Sequence, residues 1–591
     1  MNITDIINSW YESGELHPLS YQYTYLLKEM EPEIGEGILL LGILAVESVQ
    51  NGHTCLKLDP KTLRNSFSYP YLEKFTDNKI SEWVSEIMES DLVSTDGKTP
   101  FVFEDNRLYL QKYWVYENFI AEILSEKAKV INELTEKEIE VLDELFRSED
   151  NLNNEQKVSI ALALIKNLLF ITGGPGTGKT YTVIKILNAL LRSSPEDPRI
   201  AVCAPTGKAA QKLMDSIKAG LGDLGQSNLN IPNEAITVHK LLGADRFGSE
   251  FRYNESRKLP YEVIIIDEAS MLDAGLWFNL LRAITLDTKV IFLGDKDQLA
   301  SVEAGSLLGD ICRGSEGFSH TISALLSRWT DVKNNIGQRS FPINDSVVFL
   351  KNTYRFSENS GIKMLSESIR KGDTKNLFKI LNNNNLNDVR WVSDLRLIHD
   401  EVVNEFGVNL HKDVINTKDF FEISKQKKIL CAIRNGFYGV AQLNDTIEKR
   451  IKIIEGVSEN REWYDGRIIL STKNDNMTGI RNGEQGICSF IDGQSYVVFE
   501  NQQDHSVPVQ KLNSYEAAYA TTIHKSQGSE FENVAVILPS KDNFGHVSRE
   551  LLYTSVTRAR KSVLLVGNQD MITHAVNNPI TRNSGLAFKL R

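Results

Sequence analysis

The stretch that most restricts this chain is Gly173-Gly-Pro-Gly-Thr-Gly-Lys-Thr180, set between an apolar run, Leu168 to Thr172, and a helical pattern, Tyr181 to Leu191. Glycines at this density let the backbone wrap closely round an anion, while successive N–H groups and a helix start turn positive potential toward it. In this strand-loop-helix setting the pattern is a P-loop. Gly173, Gly174, Pro175, Gly176, Thr177 and Gly178 are expected to cradle phosphates. Lys179 should reach the β- and γ-phosphates of ATP, and the Thr180 hydroxyl should ligate Mg²⁺.

Three further apolar runs, Ile200 to Ala204, Val263 to Ile266 and Val290 to Leu293, alternate with helical segments, as buried parallel strands do. Runs at Ile429 to Ala432, Val534 to Leu538 and Val563 to Val566 predict a second α/β lobe. The polar segment from Leu242 to Pro260 suggests a small hairpin insertion, about 243–260, and Gly314 to Ser346 reads as a surface connection. Alternating strands from Gly466 to Leu512, with turns at Asn482-Gly483 and Asp492-Gly493, predict a small β-barrel inserted in the second lobe, about 466–512. Ahead of both lobes the pattern is mainly helical. The expected division is 1–115 for an N-terminal domain, 116–345 for the first motor domain and 346–591 for the second.

Val263-Ile-Ile-Ile-Asp-Glu-Ala-Ser270 ends a strand in two adjacent carboxylates, an arrangement that is costly without a nearby cation. Asp267 is the expected outer partner of Mg²⁺ and Glu268 the candidate base that orients the attacking water. Gln298, in Gly294-Asp-Lys-Asp-Gln-Leu299, follows the next strand and could touch the γ-phosphate or that water. Arg355 and Arg558 are the candidate arginine fingers from the second lobe, with Arg560 as the nearby alternative. A planar, permanently ionised guanidinium suits charge developing on a phosphoryl group better than lysine does.

The order and wording of these elements resemble superfamily 1 helicases. Ala204-Pro-Thr-Gly-Lys-Ala-Ala210, Thr237-Val-His-Lys-Leu-Leu-Gly243 and Ala520-Thr-Thr-Ile-His-Lys-Ser-Gln-Gly-Ser-Glu-Phe531 are similar to their single-strand-contacting and coupling motifs. The resemblance makes Thr206, Lys208, Thr237, His239, Thr522 and His524 candidate DNA contacts, with packing or relay an equal role for the two histidines. It makes Gln156 similar to the glutamine that contacts adenine. Gly294 to Gly305, Trp463-Tyr-Asp-Gly-Arg467, Asn482-Gly-Glu-Gln-Gly486 and, more weakly, Leu16-His-Pro-Leu19 resemble the RecD family, alpha subunits of bacterial exodeoxyribonuclease V. That resemblance implies an α/β fold with two RecA-like domains and a motor moving 5′ to 3′ on single-stranded DNA. It also implies a heterotrimer with RecB-like helicase-nuclease and RecC-like subunits, the first domain meeting RecC, and a role in recombinational repair of duplex ends.

Composition excludes other classes. The formal net charge of -12 argues against coating nucleic acid by bulk electrostatics, so DNA contacts must be local. No apolar run approaches the roughly 20 residues of a membrane span, and Met1 to Trp10 lacks the pattern of an export signal, which points to the cytosol. The five scattered cysteines fit neither a disulfide framework nor a metal site. No carboxylate-rich nuclease module is apparent, so cutting is expected only from an assembled complex. Two rivals remain: a stand-alone helicase, which would need more N-terminal modules, and a subunit that binds ATP without turning it over, which could dispense with Glu268, Gln298 and the arginines.

Overall fold

The computed structural model describes residues 3–66, 76–149, 151–223, 231–245, 250–332, 341–415, 420–475, 477–491, 493–500, 506–539 and 547–591. Two parallel sheets organise the chain. The first has six strands in the order Val347–Leu350, Leu168–Gly173, Lys289–Gly294, Val263–Ile266, Ile200–Ala204 and Ile236–Thr237. Side chains alternate across it, as a pleated strand requires. Leu169 and Ile171 pack on one face with helices Asn154–Ile165 and Lys179–Ser193, and Leu168 and Phe170 pack on the other with Gln111–Lys129 and Ala274–Arg282. Trp277 stacks on Phe292 at 4.3 Å in that second layer, and burying such a ring contributes roughly 2–3 kcal/mol.

The second sheet runs Val389–Val392, Ala559–Val566, Phe531–Ile537, Lys427–Cys431 and Ala520–Thr522, again all parallel. Leu430, Val536 and Leu565 face one helical layer; Ile429, Ala535 and Leu564 face the other. The parallel-sheet α/β core expected from the short apolar runs is therefore present twice. A five-stranded antiparallel sheet, ordered Ser506–Pro508, Gln494–Phe499, Gln485–Ile491, Ile468–Ser471 and Tyr515–Ala517, is inserted before Ala520–Thr522. Gly483 and Gly493 take positive φ at two of its turns; Asp492 of the expected second turn lies outside the described residues.

Several details depart from the sequence reading. Val347–Leu350 pairs with Leu168–Gly173, so the first sheet continues beyond residue 345. The run is only four residues long and follows a polar stretch, which hid it. Gly314 to Ser346 is not merely a surface connection, because helix His320–Leu326 sends Ile322 and Leu326 into the first core; residues 333–340 of that stretch lie outside the described residues. The suggested hairpin shows one antiparallel bridge, Ala244 to Phe251, and its 246–249 segment is likewise outside the described residues. Near the N-terminus, Glu36–Gln50 forms a helix buried on nearly every side against Trp83 and Phe101. Among the described residues no helix is long and apolar enough to cross a membrane.

Candidate nucleotide cleft and nucleic-acid face

The P-loop leaves the strand Leu168–Gly173 and enters helix Lys179–Ser193 through Gly178, with Gly176 and Gly178 at φ +76° and +85°. Those angles favour glycine, and so does crowding: a Cβ on Gly178 would lie 2.7 Å from the Gln156 amide nitrogen, and one on Gly176 would overlap the Arg355 Cβ. Lys179 donates to the carbonyls of Gly173 at 2.5 Å and Gly174 at 3.2 Å, across the mouth of the loop. The loop, Lys179 and Thr180 line a cavity of about 570 Å³ with Asp267, Glu268, Gln298, Arg355, Arg558 and Arg560.

The acidic wall is held under tension. Burial first, and the neighbouring Glu268 carboxylate second, raise Asp267 above the usual carboxylate range, against the pull of Lys179. Glu268 sits at φ +52°, a left-handed conformation that costs a non-glycine residue about 1–2 kcal/mol. Its amide donates to the Asp267 Oδ1 at 2.8 Å, which closes the turn that keeps it there. A cation beside Asp267 would offset both its burial and the repulsion from Glu268. A carboxylate and the Thr180 hydroxyl are hard oxygen donors of the kind Mg²⁺ takes.

Gln298 spans the cleft between the two sheets. Its Nε2 donates to the buried Asp295 Oδ2 at 3.0 Å, and its Oε1 accepts from Arg558 Nη2 at 2.7 Å. The Tyr553 hydroxyl donates to the same Asp295 oxygen at 3.2 Å. Arg558 is 3% exposed and also holds the carbonyls of Thr554 and Ser529. Arg355 donates to the carbonyl of Thr557 and pairs with Glu530 at 2.7 Å. Glu530 accepts as well from Lys212 of the first lobe at 2.7 Å and from Arg560 at 2.6 Å. Burial alone would raise its carboxyl, but Lys212 and Arg355 outweigh that and hold it well below the usual range. Of the two neighbouring arginines, then, Arg558 reaches Gln298 and Arg560 reaches Glu530.

The six candidate DNA contacts fall into three sets. Thr206, Thr237 and Thr522 stand at the carboxyl ends of strands, and each accepts from the amide three residues on, at 3.3, 3.2 and 3.3 Å. That leaves each hydroxyl proton available to a phosphate oxygen. His239 and His524 are exposed, His239 lying 6.1 Å from the Phe251 ring. Lys208 lines a second cavity of about 660 Å³ whose lysines are matched by Asp215, Glu422, Glu500 and Glu532, and burial lowers its ammonium from the ordinary lysine value.

Gln156 is 1% exposed, and its Oε1 closes a capping box on Asn153, so only its amide nitrogen is turned toward the P-loop. Beside it stands a residue that sequence reasoning missed, Tyr354, which is 58% exposed at the cavity wall and whose hydroxyl accepts from Asn153 at 2.9 Å. Lys212, Asp295, Glu530 and Tyr553 were missed too. Asp295 and Glu530 lie inside the quoted motifs and Tyr553 stands five residues before Arg558, but spacing alone does not say that they meet.

Residues 12–109 match the RecBCD enzyme subunit RecD N-terminal domain, 156–304 an AAA domain and 517–566 a UvrD-like helicase C-terminal domain. The RecBCD enzyme subunit RecD of Buchnera aphidicola (Schizaphis graminum) is 30% identical over 98% of this chain and 100% of its own length. That of Haemophilus influenzae is 32% identical over 94% and 93%. The ATP-dependent RecD2 DNA helicase of Deinococcus radiodurans is 26% identical over 75% of this chain but only 53% of its own. Full-length alignment at this identity, with the N-terminal match ahead of the nucleotide cleft, shows that the chain belongs to the RecD family of the RecBCD enzyme.

Proposed function

We propose that this chain is a DNA-dependent ATPase and DNA helicase, the 5′-to-3′ motor of a cytosolic assembly with RecB-like and RecC-like subunits, and that it unwinds duplex ends for recombinational repair. The observation that carries the reading is the bond from Arg558 to Gln298 across the cleft, over a cavity walled by Lys179, Asp267 and Glu268. Hydrolysis chemistry and lobe contact meet there. A member that only bound nucleotide would not need them joined.

In this reading the loop amides and Lys179 bind the triphosphate, with Lys179 leaving the Gly173 and Gly174 carbonyls for phosphate oxygens. Thr180 and Asp267 would hold Mg²⁺, which supplies charge neutralisation at the β- and γ-phosphates. Glu268 orients the attacking water, Gln298 contacts it or the γ-phosphate, and Arg558 and Arg355 meet the charge that develops on the transferred group. Tyr354 offers its ring face to the base, next to Gln156. Because Arg558 directly precedes strand Ala559–Val566 of the second sheet, Arg355 stands in the connection from the first sheet into the second lobe, and Lys179 belongs to the first lobe, tighter closure on triphosphate than on diphosphate converts turnover into lobe motion. Thr206, Thr237 and Thr522, with Lys208, His239 and His524, would hold the strand by its phosphates and leave the sequence unread. The N-terminal unit of 1–115 and two motor lobes follow this assignment, the boundary between the lobes falling after Val347–Leu350 rather than at 345, with the antiparallel insertion closing as a small barrel and the N-terminal unit meeting the RecC-like subunit.

The test compares ATPase and unwinding on 5′-tailed and 3′-tailed duplexes, for the chain alone and with its partner subunits. Unwinding of the 5′-tailed substrate that Lys179→Gln abolishes is the expected result. Binding of ATP without DNA-stimulated turnover in any assembly would replace the motor with a regulatory subunit. Robust unwinding by the chain alone would favour the stand-alone helicase.

A further inference from the structure

Residues 295–306 connect strand Lys289–Gly294 to helix Leu307–Cys312 without regular secondary structure, so their backbone groups must find partners elsewhere. The first half of this loop is tied to the second lobe: the Leu299 amide donates to Thr554 Oγ1 at 3.1 Å, and its carbonyl accepts from Gln527 at 3.1 Å. The second half is tied to one side chain near the end of the chain. Arg582 Nη1 donates to the carbonyls of Glu303 at 2.7 Å and Gly305 at 2.6 Å, and Nη2 to that of Ser301 at 2.5 Å. Ser301 Oγ donates to the same Glu303 and Gly305 carbonyls, at 2.9 and 3.1 Å.

The guanidinium is also backed by the N-terminal unit. Gly52, at φ +85°, packs so closely that a Cβ there would lie 3.0 Å from Arg582 Cζ, and the Gly52 carbonyl accepts from the Gly305 amide at 3.0 Å. Asn583 next to it bonds His53 and Thr54 through its backbone. Among the described residues no carboxylate pairs with Arg582. Its donors are spent on the loop, in a forked geometry that lysine's single nitrogen does not reproduce.

We propose that Arg582 is a positioning residue for hydrolysis, fixing the 299–305 loop so that Gln298, one residue ahead of it, stays aligned with Arg558 and the nucleotide cavity. The proposal rests on the assignment of Gln298 to the γ-phosphate or attacking water. Arg582 itself does not line the cavity, so its loss leaves nucleotide binding intact and degrades the step that Gln298 serves.

The experiment is a double-mutant cycle on the full-length chain in its complete assembly, with Gln298→Ala, Arg582→Ala and the pair, measuring kcat and KM for ATP at saturating oligo(dT). Arg582→Ala should lower kcat about 10-fold with KM for ATP within about 2-fold, and should cost nothing further in the Gln298→Ala background. Losses that multiply in the pair, or a lowered Tm with unchanged kcat, would overturn the proposal by making Arg582 a structural clamp only. An unchanged kcat in Gln298→Ala would instead remove the assignment on which it rests. Arg582→Lys, which keeps charge and most of the bulk, is run through the same cycle if Arg582→Ala does not fold, with the same two outcomes deciding.

Discussion

The two walls of the nucleotide cleft are built by opposite means. On the first-lobe wall, Gly173 to Thr180 and Asp267-Glu268 are consecutive residues at strand ends, and their chemistry comes from local backbone geometry: positive φ at Gly176, Gly178 and Glu268, and a carboxylate pushed up by burial. On the facing wall, Arg355 comes from the connection after Val347–Leu350 and Arg558 and Arg560 from the start of strand Ala559–Val566, and each is already engaged, by Glu530, by Gln298 or by backbone carbonyls. A wall of the first kind takes phosphate once Lys179 turns from the carbonyls of its own loop. A wall of the second kind must exchange partners to act, which makes its response depend on lobe closure.

Experiments can break that contrast, beginning where it is strongest. Lys179→Gln should take ATP turnover to background while Tm stays near the parent value, since among the described residues the lysine's hydrogen bonds are to its own loop; measurable DNA-stimulated ATPase would remove it from the site. Arg558→Ala should lower kcat by about 10³-fold, in the range of an arginine finger. Arg560→Ala, half-exposed and paired with Glu530, should cost less than about 5-fold. Equal losses in the two arginine variants would erase the distinction drawn between them.

Glu530→Gln sharpens the idea of engaged arginines. Removing a carboxylate that competes with phosphate for Lys212, Arg355 and Arg560 should lower KM for ATP about 3-fold and lower kcat as positioning is lost. A raised KM would mean that Glu530 helps the nucleotide in rather than holding its place.

The smallest expected effect concerns the two sheets themselves. Each buries a lysine at the start of a strand, Lys289 in the first and Lys428 in the second, and burial pushes both down to about 7. Between about 7 and lysine's ordinary value the unfolded chain binds protons that the folded chain does not, so stability should rise with pH across that window. Tm measured from pH 7 to 9 should climb, and Lys428→Met should flatten the climb. A Tm that falls over this range, with the lysine variant unchanged, would show that these ammonium groups are satisfied by the carbonyls they donate to, those of Leu164 and Lys166 for Lys289 and that of Ala518 for Lys428.

How much was legible follows the same division. The apolar runs at Ile200–Ala204 and Val263–Ile266 became strands with those bounds, because a buried parallel strand must be apolar on both faces. Val347–Leu350 and the helix Glu36–Gln50 escaped, the first for its brevity and the second because an all-apolar helix shows no face. Gln298 and Arg558 were each named from their motifs, but their contact was not. Glu530 stood within a quoted motif, yet only its three cations reveal what it does.

By itself the sequence determined the phosphate loop, the paired carboxylates and two alternating strand-helix lobes, since these depend on φ preferences and on periods of a few residues. Tertiary structure alone decided that Arg558 meets Gln298 across 260 residues of chain, that Glu530 gathers cations from both lobes, and that Arg582 clamps a loop 277 to 281 residues before it. Local spacing carries no information about such pairs. They are set by how two separately folded sheets pack, and by which backbone carbonyls that packing leaves in need of a donor.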